Sequence, residues 1–234
     1  MNLNTVKFGD KDSYKDFGLI LESKQIGLPE IKPAIINAPG ISGIIDLTEV
    51  IADDVLYGQR LLKFRFWLDE DRRDEWESRE TIISNFIHGK RHRVVLSWDN
   101  IFYYDGRCSV TEFDTSGAFA YITIEVEAQP YKVDMTTHTA NWLWDPFSFV
   151  DGIIYPSEII IDGVREVNLP SRRKVVSPTF TASSSMTVEH AGKVYEIPAN
   201  KPTTVYGIRL KEGDNLITVK GSGTLQVEYE GGAI

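Results

Sequence analysis

Cysteine is nearly missing: Cys108 is the only one among 234 residues. A single thiol excludes an intramolecular disulfide framework and suits assembly in a reducing cytoplasm. Long apolar runs are missing too, and none approaches the roughly 18 residues needed to span a bilayer. The opening stretch, MNLNTVKFGDKDSYKDF, has no apolar h-region, so no secretory signal is expected. A protein of this kind working outside a cell would leave it without the usual secretory signal. Helical heptads are absent, which removes a coiled coil from consideration.

Signatures of catalysis are missing as well. No HExxH helix, GxSxG elbow or Walker loop occurs, and the Gly221-Ser222-Gly223 run lacks the lysine and helix that follow a phosphate loop. Cys108 has no clear histidine partner to make it a nucleophile. Neither catalysis nor a cofactor is expected. Positive charge is scarce: the formal net charge is -9. That argues against a general nucleic-acid binder, whose affinity comes from clustered Lys and Arg.

What is present is an ordinary globular balance, 42% hydrophobic and 25% charged, which is enough for one large or two ordinary domains. Aromatics are plentiful at 11%, and the pattern leans to β. Residues 17–27 alternate Phe17, Leu19 and Leu21 against Gly18, Ile20 and Glu22, which reads as a half-buried strand. Pro39-Gly40 predicts a turn, since proline presets φ and glycine tolerates a positive one. Residues 59–68 alternate again, with Leu62, Phe64, Phe66 and Leu68 on one face. One helix is expected, over about 72–88. Asp71 is its candidate N-cap with Asp74 three residues on, Trp76, Ile83, Phe86 and Ile87 form its apolar stripe, and Gly89 is its stop.

Residues 85–132 are the most informative stretch. The helix end runs into a strand (93–97), then an aromatic turn, then a strand (119–128) with Ala120, Ile122, Ile124 and Val126 on one side. Composition shifts near Tyr131, and residues 135–155 are irregular and aromatic. Strands then return with three hairpin signals: Asp162-Gly163 as a type I′ turn, Ala191-Gly192, and Gly221-Ser222-Gly223 between 216–219 and 225–229. The fold class is mainly β (α+β): an N-terminal β-sandwich with one packed helix over residues 1–133, then a second β-sandwich over 134–234.

Several side-chain groupings invite a chemical reading. His88 and His92 have the i, i+4 spacing of two metal ligands, but Gly89 between them ends the helix, so an exposed basic turn is expected and no metal. Lys90, Arg91 and Arg93 could bind phosphate; in so acidic a chain they better suit compensation of the helix C-terminus. Glu125 and Glu127 share a strand face, as a glycosidase pair would, and as almost any polar strand does. Trp142 and Trp144 would point the same way on a strand, to stack on sugar rings or, more often, to wedge a domain junction.

From residue 7 to 132 the chain resembles the distal tail protein (Dit) family of long-tailed, non-contractile bacteriophages and prophages. The residues that carry the resemblance are Ala38-Pro39-Gly40, Gly43 and Asp46-Leu47; Leu62 to Phe66; Asn85-Phe86-Ile87-His88-Gly89-Lys90; Leu96-Ser97-Trp98-Asp99; Tyr103-Tyr104-Asp105-Gly106-Arg107; and Val126 to Lys132. Ile41 departs from the charged or polar residue the family often has after Pro-Gly. Beyond 134 the resemblance is looser, where the family commonly carries a galectin-like sandwich.

The resemblance implies a structural role and no enzyme. Six copies would form a ring at the lower end of a tail through domain 1–133. One face would meet the tail-tube protein and the other the tail-associated lysin or fibre protein. Domain 134–234 would sit at the periphery and in some relatives holds receptor-binding proteins. The implied place is the virion tail tip, assembled in the host cytoplasm, with no membrane and no specific nucleic acid. A lumen lined by carboxylates would let DNA pass without sticking. A closed ring is a heterologous assembly, in which two different surfaces of each subunit meet. Candidate interface residues are Pro39, Gly40 and Gly43, with Val50, Ile51, Val55, Leu56 and Tyr57, unless 50–57 is an ordinary core strand and loop. The alternative function is a carbohydrate-binding module, reading host-surface glycans through the C-terminal sandwich with Trp142 and Trp144.

Overall fold

Alternation in residues 59–68 becomes β6 (Arg60–Leu68), which buries Leu62, Phe64, Phe66 and Leu68 and turns Lys63, Arg65 and Trp67 to the other face. The structure is a computed structural model that describes residues 3–40, 42–50, 54–70, 72–115, 117–135 and 158–234. It is mainly β and has two compact units. One comprises Met1–Asp99, Tyr103–Lys132 and Ile234; the other comprises Asn100–Phe102 and Val133–Ala233.

The first unit holds β1 (Val6–Phe8), β2 (Lys11–Asp12), β3 (Leu19–Ile26), β4 (Ile35–Ile36), β5 (Ile45–Asp46) and β6. A 3-10 turn (Arg73–Glu75) and α1 (Trp76–Ile87) follow, then β7 (Arg91–Leu96), β8 (Asp99–Asp114) and β9 (Tyr121–Ala128). The antiparallel order is β2-β1-β7-β8-β9-β6-β3, with β3 at an edge. Phe8 meets Phe64 and Phe66 edge-on at 6.4 and 6.5 Å, and α1 adds Trp76, Ile83 and Ile87 to the same core. Each of these fully buried side chains is worth about 1.5–3 kcal/mol. Gly89 ends the helix at φ +75, and Lys90 Nζ donates to the Asn85 carbonyl there at 2.7 Å. Asp71 lies outside the described residues; neither the 3-10 turn nor α1 has a side-chain cap at its start.

The aromatic turn expected after Ser97 is corrected. The turn is only Ser97-Trp98, and Phe102, Tyr103 and Tyr104 lie within the sixteen-residue strand β8, all three buried. Consecutive burial leaves no alternation to read.

The second unit holds β11 (Ile159–Asn168), β12 (Thr179–Ala182), β13 (Met186–His190), β14 (Lys193–Ile197), β15 (Thr203–Thr204) and β16 (Leu216–Glu228). β10 (Lys132–Asp134) leads into this unit, and β17 (Gly232–Ala233) pairs with it. β16 is the spine. Its whole length from Leu216 to Leu225 pairs with β11, while its other edge takes β13 and then β12.

Two expected hairpins are therefore corrected. Asp162-Gly163 lies inside β11, and Gly221-Ser222-Gly223 lies inside β16, with Gly163 opposite Gly221. Gly221 and Gly223 serve close approach. A Cβ at Gly221 would meet Met186 Cγ at 2.7 Å, and one at Gly223 would collide with Ser183 Oγ, where the β12–β13 connection crosses. The Ala191-Gly192 turn does join β13 to β14, with φ of +49 and +74.

Candidate assembly surface

Beyond the body of the first unit, the β3–β6 ladder continues as an arm. Gly27 N–H donates to the Leu61 carbonyl (2.8 Å), Gly58 N–H to that of Glu30 (2.7 Å), and Lys32 N–H to that of Leu56 (2.8 Å). β4 and β5 then pair by themselves as a two-stranded sheet, with the turn at Pro39-Gly40 beyond. Thr48 closes the end opposite that turn: it accepts from Ala34 N–H at 3.1 Å, and its own N–H donates to Asp46 Oδ1 at 2.9 Å. Those bonds from Thr48 hold the Asp46 carboxyl below the ordinary carboxylate range.

This arm has almost no core. Leu28, Ile31, Ile35, Ile36, Ile44, Ile45, Val50 and Leu56 are all exposed, Leu28 by 76% and Val50 by 72%. An isolated two-stranded ribbon is marginal in water, and so many exposed aliphatics make the arm a candidate for a covered surface. Among the described residues of 50–57 none lies in a strand; Leu56 accepts from Lys32 N–H, and Tyr57 forms an isolated bridge with Ile31.

Buried Arg60 fixes the root. Its Nε donates to the Gly27 carbonyl (2.9 Å) and its Nη1 to that of Pro130 (3.2 Å), while the guanidinium lies 5.1 Å from the Tyr104 ring centre. Burial lowers its pKa and raises that of Tyr104. Tyr57 meets Tyr131 edge-on at 5.8 Å beside it.

Of the nominated interface residues, Pro39, Gly40, Gly43, Val50 and Leu56 stand exposed on the arm, Val55 and Tyr57 are half-buried, and Ile51 lies outside the described residues. Leu28, Ile31, Ile35, Ile36, Ile44 and Ile45, not among the nominated residues, are exposed on the arm as well, although in a sequence such aliphatics look like core. Trp142 and Trp144 also lie outside the described residues. The second unit has a depression of about 520 Å³ lined by Ser185, Met186, Thr187, Glu196, Ile197, Pro198 and Lys220, none of them an aromatic platform for a sugar.

The other chemical groupings fall apart. His88 Nδ1 accepts from Val110 N–H at 3.1 Å, whereas His92 stacks on Phe86 with ring centres 5.0 Å apart. Among the described residues no three His, Cys, Asp or Glu side chains gather to hold a metal. Glu125 pairs with Lys63 at 2.9 Å across the β6–β9 ladder. Arg91 clasps Asp105 through two bonds of 2.7 and 2.6 Å, which lowers the Asp105 pKa. Cys108 is fully buried, and desolvation pushes its thiol up to about 12. Among the described residues no helix is long and apolar enough to cross a membrane.

No family model matches this sequence, and no curated protein does. The fold, however, is matched by a solved structure. It is that of the Dit protein (gp 19.1) of phage SPP1, described as a paradigm of the hub adsorption apparatus in phages that infect Gram-positive bacteria. The TM-score is 0.64 at 13% identity, over 98% of this chain and 99% of that one. The chain has the fold of a phage distal tail protein along nearly its whole length.

Proposed function

We propose that this chain is a structural hub of a phage tail tip: a homohexameric ring, closed by the arms of its first units, that joins the tail tube to the tail-associated lysin or fibre. On this reading the protein is a virion component, put together in the host cytoplasm. Its second unit, a galectin-like sandwich at residues 134–234, lies at the periphery and offers a place for receptor-binding proteins. Its work is assembly and not catalysis.

The observation that carries the reading is the arm. A protein that functions alone has no use for eight exposed aliphatics on a coreless ribbon, whereas a ring needs each subunit to hand one surface to a different surface of the next. The shared fold with a hub protein supports the same role.

The test is the mass of the purified chain by light scattering, with negative-stain images of the same peak. Six copies of 26.5 kDa would weigh about 159 kDa as a closed ring. Leu28→Ser with Val50→Ser, both on exposed sites, is expected to leave the fold intact by circular dichroism and to abolish the ring. A wild-type chain that stays monomeric, both alone and with tail-tube or lysin protein added, would sink the proposal.

A further inference from the structure

The hydrogen-bond register shows how the arm can be gripped. Ile31 and Tyr57 form a non-hydrogen-bonded pair, since the inward bonds are made by Lys32 N–H and Gly58 N–H on either side. Residues 31 and 33 therefore point their main-chain polar groups outward, and Pro33 has no N–H to offer. Strand addition needs an outward donor at every second residue, so Pro33 interrupts this edge. Further along the same edge, β3 carries exposed Glu22 and Lys24 and a bulge between Leu21 and Ser23. These are also devices against pairing.

Charge indicates what the arm meets. The arm bears the carboxylates Glu30, Asp46, Glu49 and Asp54 against one cation, Lys32. The outer face of β1, β7 and β8 has the opposite balance: Lys7, Arg91, Arg93 and Arg107 are exposed there, against Asp105 and, next door on β9, Glu127. Arg91 stands directly opposite Arg107 in the ladder. Like charges so placed cost stability, yet they persist in a chain of net charge -9.

We infer that the arm docks through its side chains, not its backbone edge, and that its receptor is the basic β1–β7–β8 face of a second copy of this chain. The inference rests on the ring reading above and supplies that ring with its second, different surface. Electrostatic complementarity sets partner and register, and the aliphatic side chains supply buried area.

The experiment follows the ring's dissociation constant by light scattering in three variants of the full chain. Pro33→Val, which restores an outward donor, is expected to change it by no more than about twofold. Arg91→Glu with Arg107→Glu is expected to weaken it at least about tenfold, and adding Glu30→Arg and Glu49→Arg to recover most of that loss. The recovery separates a broken contact from a damaged fold. The inference is overturned if restoring the donor tightens the ring tenfold, if the charge reversal has no effect, or if the compensating pair recovers nothing. A wild-type monomer would fell the ring reading itself, whereas a wild-type ring with any of those outcomes would fell only this docking mode.

Discussion

Arg60 reaches across the root of the arm to Gly27: its Nε donates to the Gly27 carbonyl at 2.9 Å from a buried position on β6. The same guanidinium holds the Pro130 carbonyl, so one side chain ties the arm's first strand to the segment after β9. Arg60→Ala strands both carbonyls and is expected to cost about 2–3 kcal/mol in denaturant unfolding. Amide exchange should accelerate more at Gly27 and Gly58 than within β9. Arg60→Lys should recover little, because one ammonium cannot reproduce the fork. Equal acceleration throughout the unit would show that Arg60 supports the core generally and not the root.

Two glycines should respond unequally to alanine. At Gly106 a Cβ would sit 2.7 Å from Ala128 Cα, Glu127 O and Val126 Cγ1, where β8 and β9 lie closest. Gly106→Ala is expected to cost about 3 kcal/mol. Gly163 has φ +81 with open space around it, so Gly163→Ala should cost only about 1 kcal/mol of backbone strain. Thermal unfolding of the two variants checks the order.

Cys108 should resist thiol reagents at pH 8 until the first unit unfolds, then react at once. Its folded pKa of about 12 stands above the ordinary thiol value of 9.0. The folded state thus holds its proton longer, and the stability this contributes is complete below pH 9 and lost as pH rises toward 12. Cys108→Ala should flatten the fall in unfolding free energy over that window. An unchanged slope would mean that other groups set the alkaline limit.

The Arg91–Asp105 clasp acts at the other end of the scale. Asp105 is held below 3.8, so its contribution is present above that pH and disappears as acid protonates the carboxyl. The pair is partly exposed, so Arg91→Gln should cost little at neutral pH. The variant and the wild type should converge in stability as the pH falls well below 3.8. A gap that widens in acid would contradict this.

How much of the molecule is legible in its sequence depends on the range of the interaction that decides each part. β6 is legible because Leu62, Phe64, Phe66 and Leu68 alternate with Lys63, Arg65 and Trp67, and α1 because Trp76, Ile83 and Ile87 recur at helical spacing before Gly89. Both patterns are written within a few neighbouring residues. β8 is not legible, since burial of Phe102, Tyr103 and Tyr104 erases the alternation. Asp162-Gly163 and Gly221-Ser222-Gly223 have the local chemistry of turns. Only their meeting across β11 and β16 shows them to be the middles of strands. The candidate surface was half legible: Pro39-Gly40 announced the turn, but exposure of Ile35, Ile36 and Ile44 is a fact about what does not cover them.

The spine position of β16 dictates an order of events during synthesis. β11, β12 and β13 all hydrogen-bond to β16, which emerges from the ribosome after every one of them. The first unit has all but its last residue within the first 132, whereas the second cannot close until Leu216–Glu228 arrives. Non-local pairing of this kind is slow and leaves strand edges open in the interim. We therefore expect chains arrested before residue 216 to show a protease-resistant first unit and a protease-sensitive remainder, with resistance of the remainder appearing in one step once β16 clears the exit tunnel.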